Sequence, residues 1–184
     1  MLTLIGLSGS LRRGSFNSAV LRTAATMVPA DCELRIESIA EFPLYNGDVE
    51  AEGLPAPVMR LKELIVAADG LLLVSPEYNY SVPGVAKNAI DWLSRPSGEG
   101  ARVFGRKPLA IAGASPGGFG TVRGQSAWLP VFRALGADLY PRELLISRAA
   151  SVIDAQGQVI DATTRENLAA FVAGFVDHVR ARKR

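Results

Sequence analysis

The chain has 184 residues, 48% of them apolar and 21% charged, with a formal net charge of +2. That balance excludes a disordered polypeptide and suffices for one domain with a substantial core. So small a charge gives no support to nucleic-acid binding, and the one cysteine, Cys32, excludes an internal disulfide.

The chain opens on a short apolar run, Leu2-Thr3-Leu4-Ile5, and a strand is expected over residues 3–7. It has neither the charged start nor the apolar stretch of a secretory leader, so a cytoplasmic protein is expected. Then comes Gly6-Leu7-Ser8-Gly9-Ser10-Leu11-Arg12-Arg13-Gly14-Ser15-Phe16-Asn17, followed by a helix expected over residues 18–27. A Gly/Ser/Arg loop between a strand and a helix is where α/β proteins hold phosphate. Small residues let backbone N–H groups converge, and the helix N-terminus adds the positive end of its dipole. Ser10, Ser15 and Asn17 offer further donors and Arg12 a charge. A plain turn is the alternative for this loop taken alone.

Further strands are expected over 33–38, 70–75, 108–114 and 144–147, and further helices over 57–67, 83–94, 121–135 and 163–182. Cys32, at the start of the second strand, reads as a core thiol, because no His or metal-ligand set accompanies it. The runs Leu71-Leu72-Leu73-Val74 and Leu109-Ala110-Ile111-Ala112 are apolar throughout. Strands of a parallel sheet covered on both faces look like that, and strand–helix alternation argues the same architecture. Both apolar runs are far shorter than a membrane span. Pro57 and Pro83 suit helix starts, Gly136 a helix end, and Gly98 and Gly100 a flexible excursion. Arg180, Arg182, Lys183 and Arg184 suit the C-terminus of the last helix.

In a doubly wound sheet the ligand lies beyond the carboxyl ends of the strands. Two more strand ends are chemically unusual. The third carries Pro76-Glu77-Tyr78-Asn79-Tyr80-Ser81-Val82-Pro83-Gly84, stiff and aromatic, with amide and backbone groups that suit a heteroaromatic ring. The fourth carries Ala114-Ser115-Pro116-Gly117-Gly118-Phe119-Gly120, which permits close backbone approach. Phosphate at one loop and a ring at the other two describe a nucleotide or a flavin mononucleotide. Other chemistries lack their residues. Position 10 is Ser, so there is no Gly-x-Ser-x-Gly elbow. The single His178 lies far along the last helix, which leaves a Ser-His-Asp triad without a base. There is no zinc set, no P-loop and no dinucleotide glycine fingerprint, although Glu37 could mimic a ribose-binding acid.

The stretches from Gly9 to Asn17 and from Pro76 through Val85-Ala86-Lys87-Asn88-Ala89-Ile90-Asp91-Trp92 resemble the NAD(P)H-dependent FMN reductase family, which includes bacterial quinone, chromate and azo-dye reductases. The resemblance runs from the first strand through the 117–120 loop; beyond about residue 136 only the general pattern matches. It implies a single flavodoxin-like α/β domain over 1–184, a five-stranded parallel sheet of order 2-1-3-4-5 with helices on both faces. It implies noncovalent FMN, with Ser10, Leu11, Arg12, Ser15, Phe16 and Asn17 around the phosphate. Pro76, Glu77, Tyr78, Asn79 and Tyr80 would meet the ribityl chain and ring, and Ser115, Gly117 and Gly118 would close the other side. It implies NADPH or NADH as co-substrate, a homodimer or homotetramer, and no membrane. Flavodoxins proper are acidic and lack this arginine, and the chain departs from both habits.

The expected reaction is two-electron transfer from NAD(P)H through FMN to a quinone or a similar acceptor (chromate, an azo dye, free flavin) in ping-pong order. No catalytic side chain is expected. Backbone N–H groups of the 117–120 or 78–80 loop would stabilise charge at the N1–C2=O edge. Arg123 would steer an anionic acceptor or the NADPH 2′-phosphate, or simply be a solvated helix-start residue. Two alternatives stay open: an electron carrier or redox sensor without turnover, and a nucleotide-binding regulator.

Overall fold

A computed structural model describes residues 1–183; Arg184 lies outside the described residues. The elements are β1 Leu2–Ser8, α1 Phe16–Ala25, β2 Cys32–Glu37, α2 Gly47–Glu52, α3 Ala56–Ala67, β3 Gly70–Val74, α4 Gly84–Leu93 and α5 Gly100–Phe104. They continue with β4 Pro108–Ala114, α6 Val122–Ala134, β5 Asp138–Leu139, β6 Leu144–Ile146, α7 Ala149–Val152 and α8 Ala162–Arg182. The sheet runs β2-β1-β3-β4-β5, all pairs parallel, which is the expected order and the flavodoxin-like topology.

The side chains of the apolar strands split between two cores. Leu71, Leu73, Leu109 and Ile111 face α3, α4, α5 and α6, together with Ile5, Leu7, Leu61, Ile90, Phe104 and Trp128. Leu72, Val74, Ala110 and Ala112 face α1 and α8, with Leu4, Leu21, Phe171 and Val176. Alternation survives in space while vanishing from the sequence pattern, because both faces are covered. The alanines on β4 also let α1 lie close to the sheet. Among the described residues no helix is long and apolar enough to cross a membrane.

The fifth strand position is broken. Pro108 pairs with Asp138 and Leu109 with Leu139, whereas Ala112 pairs with Leu144 and Ala114 with Ile146. β4 advances four residues between those points and its neighbour six, so two extra residues bulge out. Pro141, with no N–H to give, falls in the gap, and Tyr140 turns onto Phe171, Phe175 and His178 of α8. The sequence expectation caught only the second piece. Three short helices, α2, α5 and α7, were also unforeseen. The excursion expected to be flexible leads into α5, where Val103 and Phe104 are fully buried. Burial of that pair anchors a segment whose glycines suggested freedom.

Cys32 is buried as the first residue of β2, and burial pushes its thiol pKa up, as an inert core thiol requires. The cations ending α8 find specific partners. Arg180 bonds both oxygens of Asp31, Arg182 meets Asp138 at 2.6 Å, and Lys183 meets Asp69 at 2.7 Å. The Arg180–Asp31 pair is exposed and adds little to stability, whereas the Asp69 carboxylate is mostly buried.

Gly113 marks the tightest point under the site. A Cβ there would collide with Thr121 Oγ1 and with the backbone carbonyl of Ser75. Gly113→Ala must push α6 or the segment after β3 away from β4. It is expected to cost roughly 1–3 kcal/mol, lowering Tm by several degrees in a melting curve.

Candidate functional site

The loop after β1 is built to leave donors free. Ser15 is the N-cap of α1, and its Oγ accepts from Ser18 N–H at 3.3 Å. The next N–H groups, those of Phe16 and Asn17, belong to the first turn and have no partner in the helical ladder. Arg12 lies over the Phe16 ring, 5.3 Å from its centroid, with no carboxylate in ion-pair range among the described residues. A free guanidinium beside a free helix N-terminus is a site for a dianion.

Asn17 does something other than donate to a ligand. Its side-chain amide donates to the Ala114 carbonyl at 2.9 Å, and its Oδ1 accepts from Ala114 N–H at 2.9 Å. Both groups are buried. This clamp fixes the start of α1 to the end of β4, so the loop after β1 and the loop after β4 share one frame. Gly9 brings the loop after β3 equally close: a Cβ there would stand 2.9 Å from Ser75 Oγ and 3.1 Å from Pro76. Ser75 in turn accepts from Trp128 Nε1 at 3.1 Å and is fully buried.

Those three loops enclose a cleft of about 360 Å³ at the β1/β3 switch point. Of the expected residues, Ser10, Arg12, Ser15, Phe16, Asn17, Pro76, Glu77, Tyr78 and Ser115 line it. Ala114 and Pro116 line it too, two residues at and just after the end of the fourth strand that carry no polar side chain to mark them as site residues. Leu11 instead lines a neighbouring cleft on the β2 side. Gly117 and Gly118 are exposed and lie outside the lining. Their loop is held elsewhere: Ser115 Oγ donates to Gly120 O at 2.5 Å, and Gly117 O accepts from Arg148 N–H at 2.9 Å.

Glu77 also has a structural task. Its Oε2 accepts from Arg123 N–H and Gly124 N–H, both at 2.9 Å, and so caps α6, whose N-cap Thr121 makes no side-chain capping bond and instead accepts from Gln125 Nε2. The positive helix end balances the carboxylate beside the cleft. Glu77→Ala is expected to cost about 1 kcal/mol of stability, read as a lower denaturant midpoint; Glu77→Gln, which keeps an acceptor oxygen, loses less.

Beyond Tyr78 the chain makes a two-residue hairpin. Tyr78 and Ser81 exchange both backbone hydrogen bonds at 3.0 Å, with Asn79 at φ 50° and Tyr80 at φ 62°. Two left-handed central residues define a primed turn. Asparagine tolerates this conformation; tyrosine there stores on the order of 1 kcal/mol. Asn79 and Tyr80 therefore stand above the cleft rather than in its wall, and the Arg123 guanidinium lies 4.3 Å above the Tyr80 ring. Arg123 is neither buried nor simply solvated: it belongs to this aromatic rim.

The cleft fits FMN on its own chemistry: Arg12, over the Phe16 ring, and the α1 N-terminus form an uncompensated positive site, and Pro76 and Tyr78 supply a flat apolar surface beside it. The profile of the family described as NADPH-dependent FMN reductase matches residues 2–151. An NAD(P)H-dependent FMN reductase of Pseudomonas aeruginosa is 47% identical, covering 90% of this chain and 88% of its own. A quinone reductase of Escherichia coli is 40% identical over 97% of this chain and 96% of its own. The solved structure of a flavoenzyme NAD(P)H:(acceptor) oxidoreductase from Paracoccus denitrificans superposes with a TM-score of 0.88 at 34% identity, covering 98% of each chain. With the fold, the cleft and these likenesses in agreement, the chain belongs to the NADPH-dependent FMN reductase family, enzymes that use FMN and NAD(P)H.

Proposed function

We propose that this enzyme passes two electrons from NAD(P)H to a quinone in ping-pong order, the nicotinamide leaving one open face before the acceptor takes its place. The observation that carries this reading is the cleft itself: anion-binding around Arg12 and the α1 N-terminus, and open at Tyr78, about 49% exposed, beside a Tyr80 rim that is about 69% exposed. Bound FMN supplies the electron chemistry, accepting hydride and returning two electrons.

The side chains bind and orient. Arg12, Ser10, Ser15 and the N–H groups of Phe16 and Asn17 hold the phosphate. Pro76, Glu77, Tyr78 and Ser115 flank the ribityl chain and ring, while Asn79, Tyr80, Gly117 and Gly118 act at the rim. The open ring face also suits other flat or small acceptors, such as azo dyes, chromate or free flavin. The Arg123–Tyr80 stack gives anionic acceptors and a 2′-phosphate a cation at the entrance.

Steady NAD(P)H oxidation that depends on added benzoquinone, with parallel lines in double-reciprocal plots, is the expected result. Oxidation at the same rate without an acceptor would sink the quinone assignment, and intersecting lines would sink the ping-pong order.

A further inference from the structure

The hairpin beyond Tyr78 holds two adjacent non-glycine residues in the left-handed region, Asn79 at φ 50° and Tyr80 at φ 62°. Strain of this kind persists where the surroundings impose it, and it gathers at ligand sites. What the turn achieves is to lay the Tyr80 ring against the Arg123 guanidinium, 4.3 Å from the ring centroid. Arg123 is fixed from a second side as well: its backbone N–H donates to Glu77 Oε2 at 2.9 Å. A long side chain on the first turn of α6 is thus held at the mouth of the flavin cleft instead of sweeping through solvent.

The charge of Arg123 is unspent. Among the described residues its guanidinium makes neither an ion pair nor a hydrogen bond. The carboxylate tied to its backbone, Glu77, also accepts from Gly124 N–H and is balanced by the positive end of α6. One face of the planar guanidinium lies on Tyr80, and the residue is exposed, so its donor edge stays available. The exposed aromatics of the described residues, Tyr78, Tyr80 and Phe119, all stand on the loops after β3 and β4. Flat apolar surface beside an unpaired guanidinium suits a nucleotide: rings take the base, and the planar fork takes a phosphate through two parallel bonds.

Position decides which phosphate. Arg12 and the start of α1 serve the flavin phosphate from the loop after β1, whereas Arg123 and Tyr80 stand beyond Tyr78, at the open aromatic end. A quinone on the flavin ring is one small ring and ends there. A dinucleotide whose nicotinamide lies on that ring carries an adenosine half that continues over the rim. In NADPH that half bears a 2′-phosphate, which NADH lacks, and an arginine is the usual means of accommodating it.

We infer that Arg123 binds the 2′-phosphate of NADPH and makes the enzyme prefer NADPH to NADH, with Tyr80 as the positioning residue beneath it. The inference rests on the proposed use of the flavin cleft for the direction in which the dinucleotide lies.

The test titrates 2′,5′-ADP and 5′-AMP calorimetrically into the FMN-loaded full chain and compares NADPH with NADH in steady-state turnover at fixed benzoquinone. Wild type is expected to bind 2′,5′-ADP more tightly than 5′-AMP. Arg123→Ala should weaken 2′,5′-ADP about tenfold and 5′-AMP hardly at all. The ratio of kcat/KM for NADPH over NADH should fall by a similar factor, through KM for NADPH. Arg123→Lys keeps the charge but loses the fork, and recovers part of the ratio. Tyr80→Gly suits a φ of 62° and relaxes the turn, yet it should lower the ratio too, which a purely structural ring would not. Added salt should shrink the ratio in wild type and leave it flat in Arg123→Ala. Equal 2′,5′-ADP affinity in wild type and Arg123→Ala, or equal use of both coenzymes by wild type, overturns the inference. So does a loss that appears instead in Arg148→Ala, whose N–H holds Gly117 on the neighbouring loop. Absence of quinone turnover would refute the proposed function, and the 2′,5′-ADP titration would still decide this one.

Discussion

Arg12→Ala is expected to weaken FMN binding about ten- to a hundredfold, roughly 1.5–3 kcal/mol, the range for hydrogen bonds to charged groups. The argument is one of unmet charge. The Arg12 guanidinium has an aromatic ring beneath it and no carboxylate in reach among the described residues, and it lies beside the unpartnered first-turn N–H groups of α1. A phosphate dianion satisfies all of these at once. Because Arg12 is exposed and packs on little beyond Phe16, its removal is expected to leave Tm of the FMN-free protein nearly unchanged. Riboflavin, which lacks the phosphate, should bind wild type and variant alike. Fluorescence titration with both flavins reads this out, and an equal loss for both would place the phosphate elsewhere.

Asn17→Ala carries the largest expected cost in stability, about 2–4 kcal/mol, because it strands a buried N–H and a buried carbonyl at once. Both groups belong to Ala114, at the end of β4, and among the described residues the Asn17 amide is the side chain that pairs them. The substitution should also loosen the flavin cleft, since α1 and the loop after β4 would lose their common anchor. Asn17→Asp separates the two effects. It keeps an acceptor for Ala114 N–H but sets a carboxylate against the Ala114 carbonyl, so it should be no more stable than the alanine variant near neutral pH. Chemical denaturation checks the order. If Asn17→Ala unfolds at the wild-type midpoint, the clamp is not structural.

The sheet was legible because its strands are apolar on both faces and separated by amphipathic helices, a pattern that leaves few topologies. β5 was missed because two residues pair with β4 before Tyr140 and Pro141 bulge away, and no periodicity survives in so short a piece. The flavin cleft was legible in its composition but less so in its division of labour. Asn17 and Glu77 look like ligand-binding residues in the sequence; in space they spend their polar atoms on Ala114 and on the α6 N-terminus. Gly117 and Gly118 look like a close-approach loop, yet the cleft is walled by the backbone of Ala114, Ser115 and Pro116 just before them. Tyr80 could not be placed from sequence at all, because its position above the cleft follows from a primed turn with two non-glycine residues at its centre.

The central claim is that the cleft at the β1/β3 switch point holds FMN and uses it to carry electrons from NAD(P)H to a quinone. The most direct measurement strips the protein of flavin, titrates it with FMN, and follows NAD(P)H oxidation with benzoquinone at each addition. The account predicts activity that rises linearly to one FMN per chain and then stays flat. Activity that tracks free FMN without saturating at that ratio, or a protein that takes up no FMN, would contradict it.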